Sequence, residues 1–166
     1  MQLEFADWEN AHVAEENHTA KIFAEIFIDA PAEKVWEVLT DWDKMPEWSN
    51  FLVGLTGDFQ KGGRVTVTIL QAFAGHTRHI KLDHTLIHFE EGRLFGWSDP
   101  LMQGSVHDNH MYIVEPLPDG RTRFLQTDQF SGILAHFAGI HMARQTMQIY
   151  VEFNRALKAR VESLAG

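Results

Sequence analysis

Residues 26–42 read Ile-Phe-Ile-Asp-Ala-Pro-Ala-Glu-Lys-Val-Trp-Glu-Val-Leu-Thr-Asp-Trp, a run that passes from strand to helix at a single proline. Its first residues continue the run KIFAEIFID at 21–29, which is β-branched and aromatic enough to predict a strand. Pro31 then opens a helix, because the fixed φ of proline suits the first helical position. Val35, Val38 and Leu39 stand at i, i+3 and i+4 and give that helix one apolar face, which Trp36 widens. Asp41 to Trp48, with Pro46 between two tryptophans, predicts a second short helix and a turn. Downstream the pattern changes to closely spaced strand candidates at 50–56, 64–72, 78–89, 93–98, 105–115 and 121–131. Gly62-Gly63 and Pro118-Asp119-Gly120 are among the turn signals between them. Turns this short predict antiparallel pairing, since parallel strands need long crossovers. The chain then runs into a long helix, roughly 133–164, whose stripe is Ile140, Ala143, Met147, Tyr150, Asn154, Leu157, Val161 and Leu164. At 1.5 Å per residue it is about 48 Å long, enough to cross a whole sheet.

Upstream of the decisive stretch the chain reads differently. Residues 1–19 contain Glu4, Asp7, Glu9, Glu15 and Glu16 and no Lys or Arg, which predicts a solvated acidic arm ahead of a single domain at 20–166. The whole chain has 166 residues, 45% of them hydrophobic, which is enough for one sizeable core. Its net charge is −9, and no basic stripe is present, so the phosphate backbone of a nucleic acid is excluded as a partner. The absence of cysteine excludes disulfides, thiolate metal sites and cysteine nucleophiles. No apolar run approaches the ~18 residues of a membrane span, and the start lacks the basic residues of a secretory signal. The expectation is a soluble, cytoplasmic protein.

The order of elements is strand, two short helices, six antiparallel strands and a long helix. With the segments 26–42, PEWSNF at 46–51, GDFQKGGRVTV at 57–67, HMYIVEPLPDGRTRF at 110–124, DQFSGIL at 128–134 and FNRALKARVE at 153–162, that order resembles the START-like superfamily, also called SRPBCC, and most closely its polyketide cyclase/dehydrase-type branch. The resemblance covers about residues 19–163. It implies an α+β helix-grip, in which a curved antiparallel sheet of about seven strands wraps the long helix and leaves an apolar cavity. It also implies a small hydrophobic ligand, since relatives bind lipids, sterols, polyketides or plant hormones and some catalyse cyclisation or dehydration. Where relatives tend to carry Glu before the Phe-Ser-Gly segment, this chain has Asp128.

Ten histidines raise the question of a metal. His84 and His88 are four apart on a predicted strand, roughly 13 Å, too far to share an ion. His107 and His110 fall on opposite strand faces, and His136 and His141 miss helical ligand spacing. No metal site is expected. Nor is a cofactor, since the glycines read as turn residues rather than a phosphate loop, and the absence of a G-x-S-x-G elbow speaks against a serine nucleophile.

The last two strands carry the chemistry. Along 121–131, Phe124, Gln126, Asp128 and Phe130 share the face marked as inner by its two phenylalanines. Along 105–115, Asp108, His110 and Tyr112 share one face, assigned inward partly on the resemblance. Phe95 and Trp97 from the preceding hairpin, with Met147 and Asn154 from the long helix, complete the candidate ligand-binding set. A three-residue loop at Pro118-Asp119-Gly120 sets Leu117 opposite Arg121, which puts His110 opposite Asp128 with β-carbons about 4.5–5.5 Å apart. His110 and Asp128 are therefore the candidate catalytic pair. Two functions follow. The first is binding of a small, largely apolar or aromatic ligand in the cavity. The alternative is a polyketide cyclase/dehydratase-type enzyme with His110 as general acid/base.

Overall fold

Pro31 stands at the junction that the sequence marks. Strand β2 (Thr19–Ile28) ends just before it, and helix α1 (Ala32–Thr40) starts just after it, with Ala32, Val35, Val38 and Leu39 buried. The computed structural model describes residues 5–73, 76–101 and 104–165. The second short helix is a single 3-10 turn, Met45–Glu47. Next come β3 (Leu52–Gly57), β4 (Arg64–Phe73), β5 (His76–Glu90) and β6 (Leu94–Trp97). The segment expected as one strand at 105–115 is broken at Asp108-Asn109. β7 (Pro100–Leu101) and β8 (Val106–His107) form a small separate ladder, and β9 (His110–Pro116) rejoins the main sheet. After β10 (Thr122–Phe130), the long helix α2 runs over Ile133–Ala165.

Among the described residues the main sheet has eight strands rather than about seven, in the order β1-β2-β10-β9-β6-β5-β4-β3, and every neighbour is antiparallel. The extra strand is β1 (Glu9–Glu16), formed by residues that the sequence reading assigned to the acidic arm. It pairs with β2 from Glu9↔Ile26 to Glu16↔Thr19, across a two-residue turn whose Asn17 and His18 take φ of 49° and 61°. Left-handed dihedrals at both turn positions match the twist of paired strands, so this turn closes a hairpin efficiently. β1 is further tied down by the Glu9 carboxylate against Arg155 on α2. Its inward side chains at the N-terminal end, Glu9 and Ala11, are buried, while Glu15 and Glu16 are exposed.

α2 lies across the inner face of β2, β1 and β10. Two apolar clusters result. One joins Ile26 and Ile28, α1, Val114, Phe124, Phe153, Leu157 and Val161. The other joins Ile22, Ala24, Val106, Phe130, Ala143 and Tyr150. β6 approaches β9 closely because residue 96 is glycine: a Cβ there would stand 2.6 Å from the His110 carbonyl oxygen.

Candidate functional site

The inner faces of β9 and β10 follow the alternation read from the sequence, with His110, Tyr112 and Val114 buried on one strand and Phe124, Gln126, Asp128 and Phe130 on the other. The hairpin closes as its loop dictates. Gly120 takes φ 84°, and the Leu117 amide donates to the Arg121 carbonyl at 2.8 Å. Val114 lies opposite Phe124 and Tyr112 opposite Gln126. The Asn109 amide bonds to the Gln129 carbonyl at 3.1 Å and continues the same register, which places His110 opposite Asp128.

His110 and Asp128 do not meet directly. Tyr150 of α2 reaches between them, with its hydroxyl 2.6 Å from Asp128 Oδ2 and 3.2 Å from His110 Nδ1. The imidazole is instead tied diagonally to the Gln126 side chain, Nε2 to Oε1 at 2.9 Å. This bond belongs to a directional chain. The Ala24 carbonyl can only accept, so it takes the Asn154 Nδ2 proton at 3.0 Å; Asn154 Oδ1 then accepts from Gln126 Nε2 at 2.6 Å. Gln126 Oε1 is left facing His110, whose Nε2 must carry the proton and whose Nδ1 is the acceptor.

Burial sets the charge states. His110 is enclosed, and desolvation first, then the neighbouring His84, drives its pKa down to about 3 against the pull of Gln126. Asp128 moves the other way, to about 7: desolvation leads and the Asp108 carboxylate adds to it, while bonds from Tyr150 and from the Gln129 and Asn109 amides resist. Tyr112 and Tyr150 are both pushed well up by burial, with Asp128 as the next cause. Near neutrality the imidazole is therefore uncharged, and Asp128 sits close to its midpoint. When Asp128 is protonated it donates to Tyr150, which turns its own proton to His110 Nδ1. When Asp128 is ionised it takes the Tyr150 proton, and Nδ1 loses its donor.

These groups open on a cavity of about 150 Å³. Its walls are Phe51, Leu52, Val67, Ile69, Leu82, Trp97 and Phe130, with His84, Asp108, His110, Tyr112, Asp128 and Tyr150 as polar members. Of the sequence-based ligand set, Trp97, Asp108, His110, Tyr112, Asp128 and Phe130 line this space. Gln126 and Asn154 stand behind it in the hydrogen-bonded chain. Phe95 and Phe124 are packed in the first apolar cluster and Met147 against the second, none of them in the wall. Sequence reasoning missed Tyr150 as a site residue although it lies on the helical stripe. It also missed His84, whose alternation with Leu82 and Leu86 marks an inward position. Among the described residues no group of three or more His, Asp or Glu side chains is arranged to hold a metal ion.

With fold and site in place, the chain belongs to the polyketide cyclase / dehydrase and lipid transport family, whose model matches residues 19–162. No curated protein matches the chain. Among solved structures it is similar to the Zhui aromatase/cyclase from Streptomyces sp. R1128, at 16% identity and TM-score 0.64 over 90% of this chain and 97% of that one. It is also similar to a point mutant of Thalictrum flavum norcoclaurine synthase in complex with a transition state analogue, at 14% identity and TM-score 0.63 over 93% and 99%. A third similar structure is TTHA0849 from Thermus thermophilus, at 14% identity and TM-score 0.63 over 88% and 99%. At such identities the likeness carries the fold alone. No helix among the described residues is long and apolar enough to cross a membrane.

Proposed function

We propose that the protein binds a small, neutral, largely apolar or aromatic ligand in the cavity between sheet and α2. The observation that carries this reading is the convergence of His84, His110, Tyr150 and Asp128 on one apolar-walled space. Its volume, about 150 Å³, decides the ligand's size. A dry cavity of roughly that volume takes one benzene ring, whereas drug-sized ligands need about 300 Å³ or more. Among the described residues the lining contains no Lys or Arg and two carboxyl groups, so an anionic ligand is disfavoured. Native mass spectrometry of protein purified under mild conditions tests the reading, supported by thermal shift with toluene and phenol. A retained neutral compound of a single ring, or stabilisation by either probe, is the expected result. Neither a retained compound nor a shift from either probe would overturn it.

A second reading, a cyclase/dehydratase-type enzyme, is favoured by the proton that Asp128 and Tyr150 share beside His110 Nδ1. A group balanced near neutrality next to a neutral imidazole suits general acid–base work on an enolisable carbonyl compound. The family description, which names polyketide cyclases and dehydrases, agrees with that class of reaction. Incubation with acetophenone in deuterated water provides the test. Methyl deuteration that is catalysed by the protein and lost in His110→Gln supports the reading; exchange at the buffer rate removes it.

A further inference from the structure

Two histidines flank the Trp97 ring, and they are held in opposite ways. His110 meets the indole edge-on at 5.3 Å and His84 stacks against it at 5.4 Å between centroids. Both nitrogens of His110 are engaged within the protein, by Gln126 and Tyr150. His84 has only one engaged nitrogen: Nδ1 lies 3.1 Å from Asp99 Oδ2, and Nε2 has no hydrogen-bond partner among the described residues.

The Asp99 carboxylate is fixed independently of this contact. The same Oδ2 accepts the Thr85 amide at 2.8 Å, and the Asp99 amide donates to Asp108 Oδ1 at 2.9 Å. Asp99 thus sits in a defined place just after β6 and sets the tautomer of the neutral ring, because a carboxylate accepts the Nδ1–H hydrogen bond and leaves Nε2 as an acceptor. His84 itself is 3% exposed, lies on the inner face of β5 between Leu82 and Leu86, and is part of the cavity wall. A buried ring with one nitrogen anchored and the other left toward an apolar cavity has the makings of a recognition group.

We propose that His84, held by Asp99, is a ligand-contacting and specificity-determining residue, whose Nε2 accepts a hydrogen bond from the hydroxyl of a neutral phenolic or enolic ligand. The inference rests on the cavity-binding reading and adds to it the class of polar group that is taken. A hydroxyl donor satisfies Nε2, whereas a carbonyl would set two acceptors against each other and a carboxylate would meet Asp108 and Asp128 across the same space. The ring of the ligand then fills the apolar part of the cavity beside Leu52, Ile69 and Phe130.

Phenol and toluene, which differ by a hydroxyl against a methyl, are the probes. Calorimetric titration of the intact chain should give phenol about tenfold tighter binding than toluene, the net worth of one hydrogen bond in a site of this kind. In His84→Leu the phenol affinity should fall about tenfold while that of toluene stays within about twofold. Asp99→Asn keeps the anchor but frees the tautomer, so phenol should lose part of its advantage and benzaldehyde, an acceptor, should gain. Ring nitrogen spectra of the ¹⁵N-labelled native protein provide a measurement that needs no variant: phenol should move the His84 Nε2 resonance and toluene should not. Equal loss of both probes in His84→Leu, or a phenol response confined to His110, would overturn the inference. If toluene binds without any preference for phenol, this inference fails and the cavity reading stands. If the native protein binds neither, both fall.

Discussion

Along β10 the same pleat serves two different interiors. Phe124 lies opposite Ile26 on β2 and Val114 on β9, with the Phe153 ring 6.5 Å away, and this end is closed apolar packing. Two and four residues further on, Gln126 and Asp128 are as deeply buried but face Tyr112, His110, Tyr150 and Asn154. Strand, face and burial are shared; only the chemistry changes. At the Phe124 end, stability comes from apolar area removed from water and from dispersion in a dense packing. At the Asp128 end every buried donor needs its acceptor, so packing there adds less stability and fixes particular protonation states and tautomers instead. The interior that contributes less to stability is the one that borders the cavity.

The largest expected effect that sharpens this contrast is at the apolar end. Phe153→Ala removes a side chain that is 1% exposed and packs against Tyr112, Phe124 and Trp48, and it should cost about 3–5 kcal/mol in urea unfolding. A loss below about 1 kcal/mol would show that this end is not closely packed. Gln126→Leu comes next. It strands the His110 Nε2 proton and Asn154 Oδ1, and should cost about 1–3 kcal/mol, with the histidine tautomer no longer fixed in the ring nitrogen spectrum. An unchanged tautomer would mean that the directional chain does not hold the ring.

The smallest expected effect belongs to the native protein, in which two titrations cancel. Asp128 titrates at about 7 in the folded protein instead of the ordinary 3.8, so its contribution is complete below 3.8 and is lost as pH rises to about 7. His110 is lowered from 6.5 to about 3, so its contribution is present above 6.5 and is lost as pH falls toward 3. Between 3.8 and 6.5 the unfolded chain holds the proton on His110 and the folded chain holds it on Asp128. The proton count is equal, and the two slopes cancel. Measured against the native protein, Asp128→Asn should gain relative stability with rising pH across that window, and His110→Gln should lose it, each by up to about 1.4 kcal/mol per pH unit. Slopes of the same sign in both variants would break the assignment of charge states.

The fold was legible because its deciding signals are local. A proline at a strand–helix junction, an alternation of period two along 121–131, a three-residue loop ending in glycine and a long apolar stripe each act over a few residues. β1 was not legible, because an edge strand packs on one side only and its acids resemble those of a solvated arm. His18 at a left-handed position, in place of the usual glycine, also hid the hairpin. At the site, the register that sets His110 against Asp128 was readable from the loop. The insertion of Tyr150 was not, since nothing in either strand encodes which helical residue arrives between them. His84 was weighed only as a metal ligand, and its partner Asp99 lies in a loop where period-two reasoning has no reach.

Gly96 has no side chain to offer, yet it is the spacer between the strands that hold Trp97 and His110. Any side chain there would collide with the His110 carbonyl oxygen and with Met111 Cα, atoms of the neighbouring backbone that cannot swing aside. Relief would have to come from widening the β6–β9 gap at the very residues that flank the cavity. The chain's evolutionary freedom is therefore distributed unlike its chemistry. In an exhaustive survey of single substitutions, position 96 should tolerate as little variation as the histidine it abuts, and the cavity would have to be inherited with its gap as well as with its polar groups.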